Sequence, residues 1–257
     1  MIILAIDTSA IASAALIRCH GTAESPAADA AVLASFATED TRSHAEVLAP
    51  GIRALLAEQG VTGQDIARIV VGTGPGPFTG LRSGIATARA LAFAWQAPLS
   101  GVMSLDALAW DVLASAGREG TPAGGTTTAP AGPAASSATA AAGHADGFLV
   151  ATDARRKELY WARYGADGTL ADGPHVGAPG ELPALPVYGA GASLYPEQLD
   201  AAGARPVEEF AQAQPTAASL GLVAAARLAA GTELDGTAPR YLRESDAQVP
   251  GPRKKAL

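Results

Sequence analysis

The 257-residue chain is acidic, with a net charge of −7, 48% apolar residues and 17% charged residues. This composition is typical of a globular protein and argues against one that binds nucleic acid alone, because phosphate binding needs a basic surface. One cysteine, Cys19, permits no internal disulfide, and no apolar run reaches the about 20 residues that span a bilayer. The N-terminal MIILAIDTS lacks the basic segment of a signal peptide, so we expect a cytoplasmic protein without a membrane association.

The first 114 residues alternate between β-rich apolar runs and helical patterns. The S-H-A-E sequence at 43–46 has the spacing of a capping box, which predicts the start of a helix. The pattern predicts strands at 1–6, 11–19, 30–37, 66–71 and 99–103 and helices at 43–59, 79–95 and 104–113. Three strands followed by alternating helices and strands indicate an α/β fold in the order of the ribonuclease-H-like unit.

The remainder of the chain predicts a second, smaller and more irregular lobe at 105–214 after a first lobe at 1–104. Residues 115–147 consist almost entirely of Ala, Gly, Thr, Ser and Pro, which predicts a disordered insertion. The further predicted strands are two within 148–164 and one at 186–191. A helix at 216–230, capped by Thr216, is expected to pack at the lobe junction, within a segment at 215–235. An extended tail follows at 236–257.

The stretch GTGPGPFTGLRSGIATARALA at 72–92 is a glycine- and proline-rich turn that enters a helix. It fits neither the Walker A pattern, which needs a lysine after Gly80, nor the G-x-G-x-x-G dinucleotide pattern. Pro75 and Pro77 also remove two backbone donors that an anion-binding loop would use. We therefore expect a stiff turn here, with Thr79 as the helix N-cap.

Within the predicted helix, Gly80, Gly84 and Ala88 are spaced four residues apart and form a stripe of small side chains. An interior glycine costs about 1 kcal/mol relative to alanine, so the stripe indicates that another backbone comes close. That backbone belongs either to the sheet of the same chain or to a second subunit. Arg82 and Arg89 lie on a different face of the same helix.

Few residues suggest catalysis. Asp7-Thr8-Ser9 ends the first strand, where the triplet either contacts nucleotide or metal or caps its own turn. His44 lacks a second ligand at the i+4 position, which is Leu48, so we expect no metal site and a capping or contact role. Cys19 and His20 are neighbours, but no third member of a catalytic triad can be assigned to them. The basic run Arg155 to Lys157 is expected to be solvated.

ILAIDTS, the S-H-A-E helix entry, the 72–92 stretch, DARRKELYWA and the late PRYLR together resemble the TsaB (YeaZ) family of the bacterial tRNA threonylcarbamoyladenosine pathway. The resemblance implies two ribonuclease-H-like lobes of the actin-like and sugar-kinase-like (ASKHA) fold. It also implies a non-catalytic partner of the transferase TsaD, alongside the ATPase TsaE and the adenylate-forming TsaC. TsaD carries an H-x-x-x-H metal pair where this chain has His44 and Leu48.

The resemblance further implies that the first-lobe helices form the partner surface, with ATP or ADP at the interface of the complex. Family members usually have serine at Pro77, so this chain lacks a hydroxyl and an amide there. No catalytic residue and no metal ligand is expected. The expected partner contacts are His44, Val47, Leu48, Gly51, Gly80, Arg82, Gly84, Ala88 and Arg89, and weak nucleotide contacts are Asp7, Thr8, Ser9, Gly74, Gly76 and Thr79.

Three functions follow from these residues and the resemblance. The first is a scaffold subunit that binds TsaD directly, meets TsaE and tRNA only through the complex, and in isolation forms a monomer or a homodimer. The alternative is an independent ATPase or kinase of the actin-like fold that uses Asp7, Thr8 and the 72–80 turn. A peptidase ranks lowest, because the chain has no H-E-x-x-H motif.

Overall fold

The computed structural model describes residues 1–21, 26–38, 44–116 and 146–243. The first five strands form one sheet in the order β3-β2-β1-β4-β5. The pairs β1–β2 and β2–β3 are antiparallel, whereas β4 runs parallel to β1 and β5 runs parallel to β4. The strands are β1 Ile2–Asp7, β2 Ser13–Gly21, β3 Pro26–Ala37, β4 Ile66–Gly72 and β5 Leu99–Val102.

The second sheet repeats this arrangement, with the order β10-β9-β6-β7-β8. Its first three strands are antiparallel, and β9 and β10 continue in parallel beside β6. The strands are β6 Phe148–Asp153, β7 Leu159–Tyr164, β8 Leu170–Gly177, β9 Pro186–Tyr188 and β10 Arg205–Pro206. Two sheets of the same strand order confirm the predicted α/β fold of two ribonuclease-H-like lobes. The strands β8 and β10 were not predicted, because β8 contains no buried residue and little apolar pattern and β10 has only two residues.

The helices lie on both faces of each sheet. They are α1 His44–Glu58, α2 Phe78–Trp95, α3 Ser104–Ala116, α4 Pro196–Ala201 and α5 Ala217–Ala229. α1 and α2 pack on one face of the first sheet through an aliphatic core that includes Leu48, Leu81 and Ile85. α5 covers the other face with Leu220 and Ala224, and α3 extends to the core of the second sheet. α3 and α4 lie on opposite faces of the second sheet.

The predicted helix caps have different outcomes. Thr216 is confirmed as the N-cap of α5, because its Oγ1 accepts a hydrogen bond from the Ser219 amide at 3.2 Å. The prediction for Thr79 was wrong: α2 begins at Phe78, Pro77 is the N-cap residue, and no side chain caps this end. The Leu81 amide donates to the Pro77 carbonyl at 3.0 Å, so the chain is already helical before Thr79. The capping box at 43–46 begins with Ser43, which lies outside the described residues. The same holds for residues 117–145 of the predicted insertion.

A polar cluster connects α3 and α5 with β7 of the second sheet. The Tyr164 hydroxyl donates to Asp106 Oδ1 at 2.7 Å, and the Arg227 guanidinium donates to Asp106 Oδ2 at 2.7 Å. Burial raises the pKa of Tyr164 well above its usual range, and the nearby charge of Asp106 raises it further. Tyr164 is therefore a neutral donor that binds a carboxylate shared with Arg227.

None of the helices in the described part of the chain is long and apolar enough to cross a membrane.

Candidate functional site

The Asp7 side chain lies buried where β1 ends, and hydroxyl and amide groups of the same chain surround it. Its Oδ1 accepts hydrogen bonds from the Ser9 amide at 2.8 Å and the Ser9 hydroxyl at 2.7 Å. Its Oδ2 accepts from the Ser104 hydroxyl at 2.5 Å, and that hydroxyl in turn accepts from the Gly74 amide at 3.1 Å. The carboxylate therefore caps its own turn and joins it to the glycine-proline turn and to the start of α3.

Two glycines allow the 72–77 turn to approach the Asp7-Thr8-Ser9 turn so closely. A Cβ atom at Gly72 would overlap the Asp7 carboxylate, and one at Gly76 would overlap the Ser9 carbonyl oxygen. Gly74 has a φ of +92°, a left-handed conformation that side chains rarely adopt. The glycines of this turn therefore serve backbone packing within the chain.

The small-residue stripe of α2 faces the interior of the same lobe. The Thr8 hydroxyl donates to the Gly80 carbonyl oxygen at 2.8 Å, and a Cβ atom at Gly84 would overlap Thr8 Oγ1. Ala88 is fully buried against the sheet. Gly80, Gly84 and Ala88, three of the expected partner contacts, therefore accommodate the β1–β2 turn and the first sheet of their own chain, and a contact with a partner stays a prediction.

The expected contacts on α1 are also largely internal. Leu48 is 1% exposed in the first-lobe core, so it is not available to a partner in this structure. Gly51 packs against the Phe36 ring, where a Cβ atom would overlap the ring, and Val47 is half-buried. His44 is the first residue of α1, and its side chain lies outside the described part of the structure.

The expected nucleotide contacts are not brought together around an open pocket. Asp7, Thr8 and Ser9 are at most 4% exposed, and Gly74 and Gly76 are buried. Thr79 is exposed on α2. A cavity of about 240 Å³ lies between the lobes, and Ser9 is the one nucleotide candidate that lines it. Its other lining residues include Asp153, Arg155 and Gln214. Asp7 and Thr8 instead hold their own lobe together.

Sequence reasoning missed the role of residues 235–243, which we call the strap. The backbone of Asp235 exchanges two hydrogen bonds with Gly101 at the end of the first sheet, of 2.7 Å and 3.0 Å. Further along, the Arg240 amide donates to the Thr73 carbonyl oxygen at 2.8 Å, and its guanidinium pairs with Asp235 at 2.8 Å. The strap therefore runs along the edge of the glycine-proline turn.

The strap also covers one side of α2. The Tyr241 ring packs on Phe78 with a centroid separation of 4.6 Å, and Arg82 Nε donates to the Tyr241 hydroxyl at 3.2 Å. About two turns further along the helix, Arg89 donates to the carbonyl oxygen of Thr237 at 3.1 Å. Arg82 and Arg89, two expected partner contacts, are exposed but are held by the strap.

The end of the strap reaches the second lobe at the β6–β7 turn. The Arg243 guanidinium donates to the Ala154 carbonyl oxygen at 2.9 Å and forms an ion pair with Glu158. The turn itself contains consecutive left-handed residues at 155–157. The quoted motifs GTGPGP, DARRKE and PRYLR thus meet in one place.

The chain is similar to proteins of the tRNA threonylcarbamoyladenosine pathway. The family model described as TsaD, tRNA N6-adenosine threonylcarbamoyltransferase, matches residues 31–124. An uncharacterized protein of Mycobacterium tuberculosis is 38% identical over 250 residues, which cover 96% of this chain and 93% of that protein. The tRNA threonylcarbamoyladenosine biosynthesis protein TsaB of Escherichia coli is 30% identical over 167 residues, covering 65% of this chain and 56% of that protein.

A solved structure of YeaZ from Pseudomonas aeruginosa superposes over 91% of this chain and 97% of that one, with 27% identity and a TM-score of 0.64. The chain belongs to the TsaB (YeaZ) family. A second Pseudomonas aeruginosa structure, described as having similarity to peptidase YEAZ, covers 94% of this chain and 99% of that one, with 28% identity and a TM-score of 0.67. The TsaB relatives are named for the biosynthesis of a modified tRNA nucleoside, and this places the family in tRNA modification.

This TsaB-family chain exposes a second stripe of small residues on α2, and this stripe points outward. Ala86, Ala90 and Ala94 are spaced four residues apart and are exposed. Phe93 lies beside them and is 81% exposed, although an aromatic side chain of this size is usually buried. We call Ala86, Ala90, Phe93 and Ala94 the docking face.

Neither a metal-ligating cluster nor an exposed cysteine occurs among the described side chains of this TsaB homologue. No group of three His, Cys, Asp or Glu side chains there lies close enough to hold a metal ion. Cys19 is buried, and burial raises the pKa of its thiol, which disfavours the nucleophilic thiolate. His175 pairs with Asp172 at 2.9 Å on the exposed surface of the second lobe. These contacts give the peptidase hypothesis no support.

Proposed function

We propose that this chain is a non-catalytic subunit of the tRNA threonylcarbamoyladenosine assembly and binds TsaD through the docking face of α2 and the neighbouring exposed surface of α1. The observation that carries the proposal is Phe93, which is 81% exposed on a first-lobe helix. Burying a phenylalanine side chain contributes about 2–3 kcal/mol to association. The adjacent small residues Ala86 and Ala90 would allow a partner helix to approach α2 closely.

The non-catalytic role is supported by the residue that occupies the second metal position of the resembled transferase. That residue is Leu48, and its side chain is 1% exposed within the core of the first sheet. The carboxylate of Asp7 is also engaged, because both of its oxygens accept hydrogen bonds from hydroxyl and amide donors of its own chain. The chain would then contribute a binding surface to the assembly, and TsaD would catalyse the transfer.

The further partners follow from the same surface. TsaE and tRNA would meet this chain only through the complex, because the chain carries a net charge of −7 and the docking face is apolar. ATP or ADP, if present, would lie at the interface with TsaD. In isolation, the same apolar face would pair with a second copy of the chain, because a two-fold interface uses one surface patch twice.

The binding test uses Phe93→Asp, with Leu170→Asp as the matched control. Leu170 is 45% exposed on the second lobe, so the control places the same charge on an apolar surface position far from α2 in sequence. We expect Phe93→Asp to abolish co-elution with TsaD in size-exclusion chromatography, while Leu170→Asp co-elutes as the wild type does. Both variants should melt at the wild-type temperature because both side chains are exposed.

The activity test reconstitutes tRNA modification with purified TsaC, TsaD, TsaE and each variant of this chain. Phe93→Asp should lower formation of the modified nucleoside, and a large excess of the variant should restore part of it by mass action. Wild-type co-elution and wild-type modification with Phe93→Asp would overturn the proposal. Hydrolysis of ATP by the isolated chain would favour the ATPase hypothesis.

A further inference from the structure

We infer that the groove between α2 and the strap binds an acidic segment of TsaD, the partner proposed to occupy the docking face. This inference rests on the proposed function, because it assumes that a partner covers α2. The groove has a volume of about 620 Å³, and Ile85, Ala86, Arg89, Pro239 and Tyr241 line it with Arg82. We call it the strap groove.

The strap groove is continuous with the docking face. Ala86 belongs to both surfaces, and it lies between the groove residue Arg82 and the docking residue Ala90 on the same side of α2. Ile85 and Pro239 add further apolar surface to the groove. A partner segment that buries Phe93 can therefore continue into the groove without leaving apolar contact.

Two guanidinium groups flank this apolar surface in fixed positions. The Arg82 guanidinium lies 3.6 Å from the Phe78 ring centroid, and its Nε donates to the Tyr241 hydroxyl. The Arg89 guanidinium is held by the carbonyl oxygen and the hydroxyl of Thr237. Because these contacts already order both side chains, the arginines would lose little further conformational entropy when a ligand binds.

The charge of these groups is not balanced within the described part of the chain. Neither Arg82 nor Arg89 forms an ion pair with a carboxylate of the described residues, where the observed ion pairs involve other basic side chains. The α2 sequence contains no Asp or Glu at all. A carboxylate is the group that a guanidinium binds through two parallel hydrogen bonds, so the groove fits Asp or Glu side chains next to an apolar residue.

An acidic protein segment fits better than a nucleic acid. Binding a phosphate backbone requires a wide basic field, whereas the strap groove offers two arginines on a chain with a net charge of −7. The apolar floor also matches side chains and not sugar-phosphate groups. The inferred occupant is therefore a segment of the docked protein that combines Asp or Glu with an apolar side chain.

The experiment measures the affinity for TsaD at low and high salt for the wild type and for Arg82→Glu/Arg89→Glu. The control Arg163→Glu/Arg205→Glu makes the same charge change at exposed positions of the second lobe. We expect the double reversal on α2 to weaken binding about tenfold at low salt and to flatten the salt dependence, while the control keeps the wild-type dependence. Arg89→Gln, which keeps donors for Thr237 but lacks the charge, should show part of the same effect.

The outcomes separate the inference from the proposed function. Loss of binding in Phe93→Asp together with wild-type affinity and salt dependence in Arg82→Glu/Arg89→Glu would overturn only the inference. Failure of the wild-type chain to bind TsaD would overturn both. Unchanged affinity for TsaD with weakened tRNA binding by the complex would show that the groove contacts nucleic acid, which also contradicts the inference. Thermal melting of each variant identifies any loss of folding.

Discussion

The guanidinium of Arg243 donates a 2.9 Å hydrogen bond to the carbonyl oxygen of Ala154, and this contact attaches the C-terminal strap to the second lobe. Three residues earlier, Arg240 attaches the same strap to Thr73 in the first lobe. The strap thus bridges the two lobes near the glycine-proline turn. Because it also packs against α2 through Tyr241, the contacts that join the lobes are continuous with the proposed partner surface.

Arg243→Ala should loosen the strap. The substitution removes the hydrogen bond to Ala154 and the ion pair with Glu158, which together contribute about 1–2 kcal/mol. We expect faster hydrogen exchange at the Arg240 amide, which donates to the Thr73 carbonyl oxygen. Arg205→Ala, on an exposed strand of the second lobe, is the control and should leave this exchange unchanged. Equal exchange in both variants would contradict an anchoring role for Arg243.

Gly84→Ala should destabilise the first lobe by about 1–3 kcal/mol, because the added methyl group overlaps Thr8 Oγ1. Urea unfolding measures the effect. Ala86→Ser, at an exposed position of the same helix, is the control and should change stability little. In the background of Thr8→Ala, the cost of Gly84→Ala should fall, since the overlapping hydroxyl is gone. A cost that is the same in both backgrounds would show that Thr8 is not the obstacle.

Asp7→Ala should lower stability by about 1–3 kcal/mol, because the hydroxyls of Ser9 and Ser104 lose a buried acceptor. The matched control is Asp172→Ala, an exposed carboxylate of the second lobe. Calorimetry with ATP and Mg²⁺ should detect no binding to the wild-type chain, so the variant should not differ from it. ATP binding to the wild type that disappears in Asp7→Ala at temperatures where the variant is folded would support the ATPase alternative.

Tyr164→Phe should remove part of the alkaline instability of the protein. The pKa of Tyr164 in the folded chain is raised above its ordinary value of about 10, chiefly by burial. The unfolded chain therefore releases this proton first, and stability that is present below pH 10 is lost as the pH rises above it. Urea unfolding across this range should give a shallower decline for Tyr164→Phe.

Tyr195→Phe, at a half-buried tyrosine of the second lobe, is the control for this measurement and should keep the wild-type decline. The pKa of Tyr160 is raised in the same direction by burial, but it contributes equally to both variants. At neutral pH, Tyr164→Phe should cost about 1 kcal/mol because Asp106 loses a hydrogen bond. Identical declines of stability with pH in both variants would contradict a buried neutral Tyr164.

The sequence by itself determined the elements of the first lobe and their order, because apolar periodicity and turn residues are local signals. The predicted helix at 79–95 and strand at 66–71 agree with α2 and β4 to within one residue at each end. The cap at Thr79 failed because Pro77 already has the backbone geometry that starts the helix. The strands β8 and β10 carried too little apolar pattern to be recognised.

Only the tertiary structure decided which face of α2 is turned to the sheet. A four-residue spacing shows that Gly80, Gly84 and Ala88 share a face, but Ala86, Ala90 and Ala94 have the same spacing on another face. The close approach of Thr8 to Gly84 distinguishes the two, because the residues are distant in the chain and meet only when β1 lies beneath α2. The strap contacts escaped prediction for the same physical reason: Arg240 and Thr73 are far apart in sequence, and no local pattern specifies their pairing.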